Sequence, residues 1–133
     1  MLSRLTRRAS LGVAVAALGV GAVLTGSSPA FAVEGTWSTS AGPCAATQKI
    51  ELHYNPGDGR YHDFQAIDPT QNDASDPYYC EFRLVDNGSV IYSSNSGAQS
   101  PWYYDGPGHS MTACVGYYYN GQQRSYHCTG VYN

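Results

Sequence analysis

Short segments in which apolar and polar residues alternate restrict the fold of this chain more than any other feature. In residues 48–54, for example, Ile50, Leu52 and Tyr54 share one parity while polar side chains fill the other. A period of two is typical of a β-strand, and no segment places apolar residues at helical spacing over several turns. Turn-forming residues separate these segments, so the sequence predicts an all-β fold. We interpret it as a small antiparallel β-sandwich of about six to seven strands.

Two segments lack this alternation. Residues 33–43 are rich in Gly, Ser and Thr, and we expect a tail that is tied to the domain by its single tryptophan. Residues 68–77 combine prolines with aspartates, which is typical of a loop. Further along, the Asn-Gly dipeptide at residues 87–88 is a strong signal for a two-residue hairpin turn, and its register places Leu84 opposite Ile91.

The N-terminal segment reads as an export signal. Arginines precede an uncharged apolar run over residues 11–24, and Ala30 and Ala32 supply the small residues of a cleavage site. We therefore expect residues 1–32 to be a cleaved signal peptide and residues 33–133 to form one secreted, extracellular domain. Two adjacent arginines in the basic part also resemble the twin-arginine export motif, so the export route stays open between that pathway and the general one.

The predicted mature domain contains four cysteines, Cys44, Cys80, Cys114 and Cys128. An even number of cysteines in an exported domain indicates disulfides, whereas zinc ligands usually lie within a few residues of one another. A turn over residues 120–122 places Cys114 opposite Cys128 in the last hairpin, which leaves Cys44 to pair with Cys80. The sequence therefore predicts two disulfides and no zinc site.

Charge and hydropathy exclude several classes of partner. Beyond residue 32 the chain carries four Lys and Arg residues against ten Asp and Glu residues, a net charge of −6. Four scattered cations do not form the basic cluster that nucleic acids and anionic membranes require. No later segment approaches the roughly 18 apolar residues of a membrane span, and the carboxylates within residues 68–76 do not match a calcium-binding loop. We expect no nucleic acid, membrane, metal or cofactor.

Aromatic residues outnumber aliphatic ones in the predicted domain, with sixteen Tyr, Trp and Phe residues against ten Val, Ile and Leu residues. A buried tyrosine needs a hydrogen-bond partner for its hydroxyl, so some of these rings are expected at the surface. Three consecutive aromatics, Trp102, Tyr103 and Tyr104, cannot all point into a core from a strand. Together with Asp105 they form the predicted ligand-binding loop; the alternative is that Trp102 plugs one end of the sandwich.

A second aromatic surface is predicted in the last hairpin. Tyr118, Tyr126 and Tyr132 share the parity of the Cys114 to Cys128 bridge. Aromatic rings that pack on a disulfide are common in protein cores, so we expect this face to be buried rather than open to a ligand.

Candidates for catalysis are few. His62 and Asp63 are neighbours in a strand and point to opposite faces, which leaves Asp63 with His109 as the remaining acid–base pair. Residues 61–64 and 91–94, followed by His109, resemble the order of elements in small secreted guanyl-specific ribonucleases. The arginines that such chemistry uses to hold phosphate are largely missing here, so no catalytic role is transferred. We expect no enzymatic activity, with a small secreted hydrolase as an alternative.

The sequence thus predicts a secreted, monomeric, non-catalytic binding protein whose aromatic loop holds extracellular carbohydrate or cell-envelope material. The other candidate is a proteinaceous inhibitor of a secreted hydrolase, for which the partner is a secreted protein. Small bacterial α-amylase inhibitors are similar in architecture, being secreted β-sandwiches with two disulfides, but their Trp-Arg-Tyr signature is absent from this chain.

Overall fold

Eight strands form two antiparallel sheets of four strands each, which confirms the predicted all-β sandwich. The computed structural model describes residues 34–132, and the predicted export signal lies outside that range. Sheet A contains, in spatial order, β1 (Gly35–Ala41), β2 (Cys44–Asn55), β3 (Arg60–Asn72) and β6 (Tyr103–Tyr104). Sheet B contains β5 (Ser89–Ser94), β4 (Tyr78–Asp86), β7 (Met111–Tyr119) and β8 (Gln122–Cys128). The described residues include no helix that could cross a bilayer.

The core lies between the inner faces of the two sheets. Phe82, Leu84 and Val115 of sheet B pack against Ala46 and Ile67 of sheet A, and all five are fully buried. Ala41 and Ala46 are small core residues on the sheet A side. This packing identifies the inner parity of each strand, because alternate residues point to opposite faces.

Both predicted disulfides are confirmed. Cys44 and Cys80 are buried and join β2 to β4 across the core, with 36 residues of separation. Cys114 and Cys128 join β7 to β8 within sheet B, and they lie on its outer face. The first bridge therefore connects the two sheets, whereas the second closes a hairpin.

The hairpin registers are partly as predicted. Cys114 faces Cys128 as expected. The turn contains two residues rather than the expected three, and a bulge at Arg124 adds the one residue that restores the predicted register. In the β4–β5 hairpin, the prediction that Leu84 faces Ile91 is wrong, because a bulge at Ile91 places Leu84 opposite Tyr92. Ile91 is 37% exposed as a result.

Two segments that were predicted to be irregular form strands. Residues 33–43 contain β1, which pairs along its whole length with β2, so the expected tail is wrong. Backbone hydrogen bonds stabilise this edge strand, and they need no apolar alternation in the sequence. Its Trp37 packs on Tyr132, with ring centroids 5.7 Å apart. Strand β3 also continues to Asn72, into the segment that was expected to be a loop.

Candidate functional site

The short strand β6 determines where the predicted aromatic loop points. It pairs with β3 so that Tyr104 faces Phe64 and Tyr103 faces Gln65. Gln65 is buried between the sheets, so Tyr103 points inward, where it packs against the core and lies 6.2 Å from the ring of Tyr92. Tyr104 points to the outer face of sheet A. Of the three consecutive aromatics, Tyr103 therefore packs against the core and is not available to a ligand on the outer face.

Trp102 and Tyr104 belong to a continuous aromatic surface on the outer face of sheet A. The ring of Trp102 lies 4.6 Å from that of His53, and His53 stacks on Phe64 at 5.2 Å. Tyr104 stands edge-on to Phe64 at 5.7 Å. We call His53, Phe64, Trp102 and Tyr104 the sheet A aromatic surface. Each of the four is half-buried.

Two histidine–carboxylate pairs flank Tyr104, which the sequence did not predict. The ring of Tyr104 lies 5.1 Å from that of His62 and 5.3 Å from that of His109. His62 is hydrogen-bonded to Asp58, and Nδ1 of His109 lies 2.6 Å from Oδ2 of Asp86. His109 thus pairs with Asp86 rather than with Asp63, the partner that the sequence had suggested.

Both of these carboxylates are held in the ionised form. The hydrogen bond from His62 lowers the pKa of Asp58. Burial alone would raise the pKa of Asp86, but hydrogen bonds from His109 and from a backbone N–H outweigh it and lower the value. The edge of the sheet A aromatic surface therefore carries two anionic carboxylates. Each of their oxygens already accepts one hydrogen bond within the protein, and Asp58 is the more exposed of the two.

Asp105, the fourth residue of the predicted loop, lies between the sheets and is fully buried. Its Oδ2 accepts a 2.9 Å hydrogen bond from Gln65, whose own side-chain oxygen accepts a 2.9 Å bond from Gln48. The other carboxylate oxygen has no partner among the described residues. Burial raises the pKa of Asp105 to about 6, against the hydrogen bond from Gln65 and together with repulsion from Asp63. A ligand on the surface does not reach this side chain.

The β2–β3 hairpin projects beyond the end of sheet B. Leu52, Tyr54 and Tyr61 have the inner parity of their strands, yet they are 40%, 55% and 68% exposed. The two tyrosine rings pack edge to face at 5.6 Å. The turn between them is ordered by hydrogen bonds from two backbone N–H groups to the side chains of Asn55 and Asp58. The sequence predicted these strands but not their projection, which depends on where the opposite sheet ends.

The tyrosines of the last hairpin are divided between two places. Tyr118 lies on the outer face of sheet B and is only 7% exposed, and Tyr126 on the same face is half-buried. Tyr132 instead packs on Trp37 at one edge of the sandwich.

Across residues 34–132, no three His, Cys, Asp or Glu side chains are grouped so that they could hold a metal ion. Comparisons of the chain with protein families, with curated proteins and with solved structures found no match.

Proposed function

We propose that this protein is a secreted, non-catalytic binding protein whose sheet A aromatic surface holds a polysaccharide chain. The observation that carries the proposal is the position of Trp102 and Tyr104, half-exposed on the outer face of sheet A, with the ionised carboxylates of Asp58 and Asp86 close to Tyr104. Aromatic rings present a flat apolar face to the C–H groups of a sugar, and carboxylates accept its hydroxyls.

The shape of the surface supports a chain-like ligand. Sites for small molecules are concave and enclose most of the ligand, whereas this surface follows the outer side of a sheet. The excess of ten acidic over four basic residues beyond residue 32 disfavours anionic polymers. Export is supported by the predicted signal and by the two disulfides, which form in oxidising compartments.

The test is co-sedimentation of the protein with insoluble cellulose, chitin and peptidoglycan. Trp102→Ala and Tyr104→Ala should each weaken binding about 5- to 150-fold, as expected for an aromatic anchor worth about 1 to 3 kcal/mol. Tyr61→Ala is the matched control, because it removes a more exposed tyrosine from the opposite face of the same sheet. Tyr103→Ala should lower thermal stability, since that ring packs on the core.

Two results would contradict the proposal. The first is that none of the three polymers retains the wild-type protein. The second is that Trp102→Ala and Tyr104→Ala bind as well as the Tyr61→Ala control.

The projecting β2–β3 hairpin favours a second candidate function, inhibition of a secreted hydrolase. An ordered, convex turn with two exposed rings is suited to entering a concave active site, and it loses little entropy on binding. Here the test is a pull-down from culture medium. If the protein is an inhibitor, replacing Tyr54 and Tyr61 together with Ala should abolish recovery of the hydrolase, while Trp102→Ala should not affect it.

A further inference from the structure

The outer face of sheet B carries a second group of aromatic and polar side chains, on the opposite side of the sandwich from the sheet A aromatic surface. Tyr79 on β4 faces Tyr118 on β7, and their rings lie 5.3 Å apart and within 9° of parallel. Tyr118 lies over Gly116, where any Cβ would overlap its ring. The absence of a side chain at Gly116 therefore lets the tyrosines pack closely on the sheet.

A charged pair stabilises this arrangement. Nε of Arg83 donates a 2.8 Å hydrogen bond to Oε1 of Glu81. The guanidinium carbon of Arg83 lies 5.9 Å from the ring centroid of Tyr118 and 5.8 Å from that of Tyr126. Burial would raise the pKa of Glu81, but the hydrogen bonds from Arg83 and Ser93 outweigh it and lower the value. Glu81 is thus an ionised acceptor whose charge is balanced by its neighbour.

A depression of about 270 Å³ adjoins the pair and is lined by Tyr79, Glu81, Ser93, Ser94 and Asn95. It is smaller than the ~300–1,000 Å³ sites that enclose drug-sized ligands, so it has room for one unit of a polymer. Oε1 of Glu81 accepts hydrogen bonds from both Arg83 and Ser93, whereas Oε2 has no protein partner in the described part of the chain. One carboxylate oxygen therefore remains for a ligand.

We infer that this depression is a second saccharide site. The ring of Tyr79 would stack on one sugar unit, Oε2 of Glu81 would accept its hydroxyls, and Ser94 and Asn95 would supply further hydrogen-bonding groups. A neutral sugar fits because Glu81 and Arg83 leave the site without net charge, while an anionic unit would meet the carboxylate of Glu81. The ligand class rests on the proposed function, but the site itself is separate from the sheet A aromatic surface.

Two sites on opposite faces would make the protein bivalent. A monomer with this arrangement could bridge two polysaccharide chains, and its avidity for an insoluble polymer would exceed the affinity of either face for a short oligosaccharide.

Titration calorimetry with cellohexaose and chitohexaose tests the inference. We expect two sites per molecule for whichever probe binds. Tyr79→Ala and Glu81→Gln should each weaken one site about tenfold or more and leave the other unchanged. Trp102→Ala should weaken the site on sheet A and leave the site at Tyr79 and Glu81 unchanged. Asp73→Asn, which removes an exposed carboxylate from a loop, is the control and should change neither site.

The outcomes separate this inference from the proposed function. A single site that Trp102→Ala removes, and that Tyr79→Ala and Glu81→Gln leave intact, overturns the second site alone. A single site with the opposite response supports it and overturns the assignment to sheet A. No binding of either probe overturns the inference. Since Tyr79 packs on Tyr118, the unfolding of each variant is measured in parallel, and Glu81→Gln keeps the size and shape of the side chain.

Discussion

Asp105 shows how one residue can determine the pH dependence of stability. Its carboxyl is fully buried, and its pKa rises from the ordinary 3.8 to about 6. The folded state therefore holds this proton more tightly than the unfolded chain does, so ionisation at neutral pH costs the folded state about 3 kcal/mol. The contribution has the opposite sign to that of Asp58 and Asp86, whose lowered pKa values make the fold less stable as pH falls below their ordinary value of 3.8.

We expect the free energy of unfolding of the wild-type protein to rise as pH falls from about 7 to about 5. Over this range Asp105 becomes protonated in the folded state, whereas in the unfolded chain it stays ionised until lower pH. Asp105→Asn should flatten this part of the profile and should be the more stable protein at pH 7.5. Urea unfolding at several pH values measures both effects. Asp73→Asn, in an exposed loop, is the control. Parallel profiles for Asp105→Asn and the wild type would contradict the assignment.

At the scale of elements, the turn of the β7–β8 hairpin depends on a glycine. Asn120 and Gly121 both have positive φ, at 46° and 74°, which is the geometry of the tight turns that join antiparallel strands. Gly121→Ala should therefore lower the free energy of unfolding by about 1 to 2 kcal/mol, since a Cβ is disfavoured in this conformation. Gly130→Ala is the matched control, because that glycine has open space around it and no left-handed φ. Equal effects in urea unfolding would show that the turn conformation is not limiting.

The same elements show which features the sequence could predict. The three-residue loop assumed for the last hairpin has the same offset as the observed two-residue turn with its bulge, so the Cys114 to Cys128 pairing is correct. The residues around Ile91 give no indication of the bulge. The bulge turns Tyr92 to the inner face, where its ring lies 6.2 Å from that of Tyr103 on the other sheet, and a contact between distant residues cannot be predicted from the local sequence. Likewise, three consecutive aromatics indicated a surface, but only the pairing of β6 with β3 decides which rings face outward.

At the scale of the whole molecule, the sandwich has few large aliphatic side chains between its sheets, and the buried disulfide lies among them. Phe82, Leu84 and Val115 on sheet B face small residues such as Ala46 on sheet A. Because few large aliphatic side chains are available for burial, we expect the covalent link between the sheets to contribute much of the stability. The link within sheet B constrains only a hairpin that the backbone ladder already pairs.

The two disulfides should therefore contribute unequally. In the chain-entropy account, a link across 36 residues is worth about 4 kcal/mol and one across 14 residues about 3 kcal/mol. Replacing Cys44 and Cys80 with Ala removes two buried side chains from the core, whereas in the other disulfide only Cys114 is buried and Cys128 is exposed. Thermal and urea unfolding should rank the Cys44→Ala, Cys80→Ala protein below the Cys114→Ala, Cys128→Ala protein, and the reduced wild type below both. The reverse order of the two variants would mean that the hairpin, rather than the contact between the sheets, limits the stability of the fold.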